Sequence, residues 1–113
     1  MSNLNSTRRG ALAFVVAALS PEILRAAQAS EEIKVDIDNF SFSPEKLEVK
    51  VGSTVIWENR DDIPHNIVAT GKQFKSPVLD TGEVFRFTFT APGTYDYFCG
   101  LHPHMTGSVI VSA

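Results

Sequence analysis

Seven residues near the C-terminus, Cys99-Gly100-Leu101-His102-Pro103-His104-Met105, hold the only cysteine of the chain, two of its three histidines and one of its two methionines. Thiolate and thioether are soft donors that suit Cu(I), and imidazole suits copper more generally. The spacing C-x2-H-x2-M lets a loop leaving a strand fold over, so that Cys99, His102 and Met105 face one centre. The third histidine, His65, stands in Ile63-Pro64-His65-Asn66-Ile67, between two runs that read as strands. It can bring a second imidazole from a neighbouring loop. Two imidazoles, one thiolate and one thioether form the donor set of a trigonal copper site with a long axial methionine bond. Zinc is the natural rival, but structural zinc sites draw on cysteine and histidine, usually with more cysteines than this chain has. Four ligands also leave no open position for a catalytic metal.

Taken singly, each residue has a plainer reading. A lone cysteine or methionine is commonly core filler, and His65 or His102 alone would be an ordinary loop histidine. The metal reading rests on their joint arrangement. His104 is the weaker ligand candidate, because it directly precedes Met105 and adjacent side chains seldom converge on one small ion. It is expected to be a surface imidazole near the metal.

Such ligands need a scaffold, and the period of the chain is two. Ile33, Val35 and Ile37 alternate with polar residues, as do Leu47, Val49 and Val51, and Phe85, Phe87 and Phe89. Each run reads as a strand with one buried face. Residues 54–58 and 107–112, rich in β-branched side chains, are further strands. In the strand 94–99, Tyr95, Tyr97 and Cys99 share a face, which turns the thiol inward at the strand's end. Turns are expected at Val51-Gly52-Ser53, Asp80-Thr81-Gly82 and Ala91-Pro92-Gly93. Strands recurring every eight to twelve residues predict an all-β fold, a small sandwich or barrel. No stretch after residue 30 carries a helical stripe.

Residues 1–29 read differently. Arg8 and Arg9 precede an apolar run over 10–19, and Ala27-Gln28-Ala29 is a small-x-small cleavage site. This is the order of an export signal cleaved after Ala29, and the paired arginines suggest the twin-arginine type. The apolar run is shorter than the roughly 20 residues a membrane span needs, so no integral span is expected in the mature chain, residues 30–113. That domain has seven Lys or Arg against twelve Asp or Glu. Its acidic balance lacks the basic footprint that nucleic-acid binding requires. Cys99 is alone, so no disulfide forms within the chain. An unpaired cysteine in an exported protein is buried and inert, bridged to another chain, or a metal ligand.

Four segments carry a family resemblance: Trp57-Glu58-Asn59-Arg60, Ile63-Pro64-His65-Asn66, the run from Phe89 to Tyr97, and Cys99 to Met105. Through them the chain resembles the cupredoxins, most nearly the amicyanin branch with its short ligand loop. The resemblance spans roughly residues 31–112. It implies a Greek-key β-sandwich that binds one type 1 copper and passes single electrons in the periplasm, as a monomer and not as an enzyme. By motif, His65, Cys99 and His102 are then the equatorial ligands and Met105 the axial one, and Asn66 ties the two ligand loops together. Redox partners are expected to dock transiently near His102, beside Leu101, Pro103, Ile63 and Pro64. Glu58, Asp61 and Asp62 read as ordinary solvated surface, or else as a patch that steers a basic partner. Leu101 stands where amicyanins have proline, and the N–H it restores is expected to donate to the Cys99 sulfur. His104 replaces an aromatic residue. The alternative function is a periplasmic copper carrier or storage protein, although the chain lacks the Met-rich or His-rich tracts that favour trafficking.

Overall fold

The computed structural model describes residues 31–113, so the expected export signal lies outside the described residues. Eight strands follow one another among the described residues: β1 (Glu32–Asp38), β2 (Ser41–Ser43), β3 (Lys46–Lys50), β4 (Thr54–Asn59), β5 (Val68–Ala69), β6 (Val84–Thr88), β7 (Gly93–Phe98) and β8 (Thr106–Ser112). The alternating runs form strands because a pleated backbone sends neighbouring side chains to opposite faces. Accordingly β1 buries Val35 and Ile37, β4 buries Val55, Trp57 and Asn59, and β8 buries Val109 and Val111. Val51, which the sequence offers both as the last apolar residue of this run and as the first of the turn, falls in the turn, where Gly52 takes a φ of 96° that suits glycine. Phe89 lies just past β6 but is buried all the same.

The strands make two four-stranded sheets, ordered β2-β1-β4-β6 and β3-β8-β7-β5. The chain crosses between them repeatedly, so each sheet contains one parallel pair. In one, β1 runs beside β4 with Val35 opposite Trp57; in the other, β3 runs beside β8 with Val49 opposite Val111. This is the expected two-sheet sandwich.

An aromatic cluster fills the space between the sheets. Trp57 and Tyr97 meet edge to face with centroids 5.4 Å apart, and Phe42 meets Tyr97 in the same way at 4.8 Å. Such pairs contribute about 0.5–1.5 kcal/mol each beyond the area they bury. Gly107, opposite Tyr97 across β7 and β8, has a packing reason: a Cβ there would come within 2.5 Å of the tyrosine ring. Pinning Tyr97 inward fixes the phase of β7. Phe98 is then half-buried on the far side, and Cys99 is fully buried where the strand ends.

Candidate metal centre

The segment after β7 closes on itself through backbone hydrogen bonds. The N–H of His102 donates to Cys99 O at 3.1 Å, that of Met105 to His102 O at 2.9 Å, and that of Cys99 to Met105 O at 3.0 Å. Cys99 and Met105 therefore face each other at the mouth of a short loop with His102 at its middle. Cys99 and Met105 are buried, His102 is half-buried, and Leu101, Pro103 and His104 are exposed. His65 arrives from the segment after β4. Two backbone bonds bridge it to Leu79, at 3.2 and 2.7 Å, and its side chain is wholly buried.

These two segments bring the His65, Cys99 and His102 donors within 4.8 Å of one another. The Cys99 Sγ lies 3.6 Å from His65 Nδ1 and 3.7 Å from His102 Nδ1. A first-row divalent ion with S and N bonds of about 2.3 and 2.05 Å separates those donors by about 3.6 Å at a tetrahedral angle and about 3.8 Å at a trigonal one. The observed spacings match a common metal centre, and the soft thiolate with two imidazoles suits copper. Met105 is placed at the loop mouth, and His104 lies outside the cluster.

The surroundings hold the donors in place. Asn66 Oδ1 accepts the Gly100 N–H at 2.7 Å, and the Asn66 N–H points at Cys99 Sγ at 3.5 Å. Asn66 thus ties the ligand loops together, as expected. The N–H found on the sulfur, however, is that of Asn66. No bond from Leu101 to the sulfur is found among the described residues, so the donor role expected of Leu101 is not borne out; the loop directs its own N–H bonds between Cys99, His102 and Met105.

Asp61 also departs from expectation. It is buried rather than solvated, and its Oδ2 accepts from His65 Nε2 at 3.0 Å and from the Phe40 N–H at 3.1 Å. The bond from His65, and after it the one from Phe40, holds the carboxyl below its usual range. The acidic set thus divides: Asp61 turns inward, Asp62 is exposed, and Glu58 pairs with Lys34 at 2.6 Å, a hydrogen bond that lowers its own pKa. Beneath Asp61, the wholly buried Asn59 donates from Nδ2 to Ile63 O and Leu79 O, and accepts the Asp61 N–H on Oδ1.

Phe40 completes the site from the β1–β2 turn. Its ring stands edge-on to both imidazoles, with centroids 5.9 Å from His65 and 5.2 Å from His102. Sequence reasoning did not single out Asp61, Asn59 or Phe40 as parts of the site. For Phe40 a faint signal existed: a large aromatic next to Asn39, outside the alternation of β1.

A two-sheet β-sandwich that brings two imidazoles and a buried cysteine sulfur together from the segments that follow β4 and β7 defines the class of small all-β metalloproteins. The chain belongs to the cupredoxin-like domain family, whose model matches residues 10–111. It is 39% identical over 108 residues to the amicyanin of Paracoccus denitrificans, a match covering 90% of this chain and 82% of the relative. Among solved structures, the purple cupredoxin from Nitrosopumilus maritimus superposes with a TM-score of 0.68 at 37% identity, over 71% of this chain and 99% of that one. The Cu-containing nitrite reductase from Thermus scotoductus gives 0.69 at 37% identity, over 73% of this chain but 22% of the enzyme.

Proposed function

We propose that this chain is a periplasmic single-electron carrier, holding one type 1 copper ion through His65, Cys99, His102 and Met105. The observation that carries the reading is the pair of Sγ–Nδ1 separations, 3.6 and 3.7 Å, in a centre closed by two interlocked loops. Bound copper supplies a one-electron Cu(II)/Cu(I) couple. The chain contributes rigidity: Asn66 and the backbone bonds of the 99–105 loop fix the donors before any ion arrives, so a change of charge needs little rearrangement. The pattern over residues 1–29 supports export to the periplasm.

Electrons enter and leave by way of His102, the half-buried imidazole, whereas His65 is sealed. Around His102 lie Leu101 and Phe40, respectively 48% and 53% exposed, with Pro103 also exposed. An apolar rim of this kind suits a small, short-lived contact with a redox partner. The domain is a monomer that acts as a carrier and not as an enzyme; its likeness to the nitrite reductase extends over only 22% of that protein.

The test is to add Cu(II) to the purified mature domain and record the visible spectrum. The reading expects an intense thiolate-to-copper charge-transfer band that reduction bleaches. A pale complex with only d–d absorption refutes it. Rapid loss of Cu(I) to a competing chelator during redox cycling marks a copper carrier or store instead.

A further inference from the structure

The β1–β2 turn is strained. Its two central residues, Asn39 and Phe40, have φ of 51° and 58°, and the hairpin closes between Asp38 and Ser41. Both residues therefore sit in the left-handed region, as a two-residue hairpin turn of this hand requires. Asparagine tolerates that region well. Phenylalanine does not, and strain of this sort persists only where surrounding structure imposes it. Here the surrounding structure is Asp61. Its Oδ2 takes the Phe40 N–H at 3.1 Å, and the same oxygen takes His65 Nε2 at 3.0 Å. One carboxylate oxygen thus joins the turn that carries Phe40 to the imidazole that faces the Cys99 sulfur. A carboxylate can only accept, so His65 must carry its hydrogen on Nε2, which leaves the Nδ1 lone pair aimed toward Cys99 Sγ.

We propose that Asp61 is a positioning residue of the metal centre: it selects the Nε2–H tautomer of His65, seats Phe40 against both imidazoles, and by its negative charge favours Cu(II) over Cu(I). This rests on the copper reading above and goes beyond it in assigning part of the reduction potential to a group that does not touch the metal. A buried carboxylate hydrogen-bonded to a ligand imidazole raises the donor strength of that imidazole. The more highly charged ion gains more, so the charge on Asp61 lowers the potential.

Two variants separate the parts of the proposal. Asp61→Asn keeps an oxygen acceptor in the same place but removes the charge; Asp61→Ala removes both. In the metal-free protein, long-range 15N–1H correlation spectra read the His65 tautomer, and ring-current shifts of the imidazole protons read the seating of Phe40. The expected result is an Nε2–H tautomer in the wild type and in Asp61→Asn, and loss of the single tautomer and of the ring-current shifts in Asp61→Ala. In the copper-loaded protein, Asp61→Asn is expected to raise the ratio of Cu(I) to Cu(II) affinity about tenfold, which for a one-electron couple is about 59 mV upward. A charge-transfer band in the wild type with no rise in potential in Asp61→Asn overturns the proposal, as does an Nδ1–H tautomer in the metal-free wild type. Absence of the band from the wild type refutes the copper reading itself. Should Asp61→Ala fail to fold, the Asp61→Asn potential and the wild-type tautomer still decide.

Discussion

Asn59 is the deepest support of the His65 segment, and its removal tests how the site is held. Its side chain is 0% exposed and makes three bonds of 2.9 Å: two from Nδ2, to Ile63 O and Leu79 O, and one accepted by Oδ1 from the Asp61 N–H. Asn59→Ala strips a partner from two carbonyls and one amide. Each such bond contributes about 1 kcal/mol net, and a buried group left unsatisfied raises the loss further. Leu79 O keeps the His65 N–H, and Ile63 is half-buried, so part of the loss is made good. The figure expected is thus about 3 kcal/mol, a large share of the 5–15 kcal/mol typical of a domain. At roughly 4–8 °C per kcal/mol for a domain of this size, Tm falls by roughly 12–24 °C. Asn59→Asp should fare no better, because a carboxylate would present an acceptor to two carbonyl oxygens. Scanning calorimetry on the metal-free protein at neutral pH measures this without the contribution of bound metal. Thr88→Val is the control: it removes the Thr54–Thr88 hydroxyl bond of 2.7 Å at the surface and keeps the branched shape. If Asn59→Ala costs no more than Thr88→Val, the hydrogen-bonded hub does not hold the loop and the reasoning fails.

His104→Phe should leave the copper chromophore intact, because His104 lies outside the donor cluster, whereas His102→Ala should abolish or transform it; visible spectra of both decide which histidine ligates. Burial raises the Tyr97 hydroxyl from 10.0 to about 12. Its neutral form is the one the fold prefers, so its contribution is intact below pH 10 and is lost as pH rises toward 12. That loss reaches about 2.7 kcal/mol at 1.36 kcal/mol per unit, and alkaline denaturation of Tyr97→Phe should lack this component. Gly107→Ala should lower stability by about 1–3 kcal/mol, the usual cost of overpacking, because the new Cβ meets the Tyr97 ring at 2.5 Å. An unchanged urea midpoint would show that the ring can move aside.

The long strands were legible because their burial has a period the side chains display. Val35 and Ile37, Val55 and Trp57, Val109 and Val111 each alternate with polar or half-buried neighbours, and each alternates in burial. Strands β2 and β5, of three and two residues, are too short to show any period. Sheet order was not legible either. The partnership of β1 with β4, or of β3 with β8, depends on how the chain crosses between layers, and no local pattern records that. Turn chemistry helped only where glycine was needed: Gly52 marks its turn plainly, while the Asn39-Phe40 turn hides because its second residue is a poor former of the conformation it adopts.

The site divides along a similar line. Cys99, His65 and His102 stood out because their residue types are scarce in the chain and chemically suited to one another, so composition and spacing were enough to gather them. Asp61 has neither advantage. It is one acid among several between Glu58 and Asp62, and in an irregular segment the spacing of four to His65 fixes no geometry, as it would on a helix. Only the fold of the 59–67 segment, pinned by Asn59 from below and by the Leu79 bridge at the side, turns that carboxylate inward. Once it points inward, its acceptor oxygens demand donors: Oδ2 takes His65 Nε2 and the Phe40 N–H, and Oδ1 takes the Asp62 N–H. The residues that meet the thiolate are therefore written in residue type, while those that set their orientation are written in tertiary structure. A search for sites by ligand type alone will find such centres and miss the carboxylate that governs them.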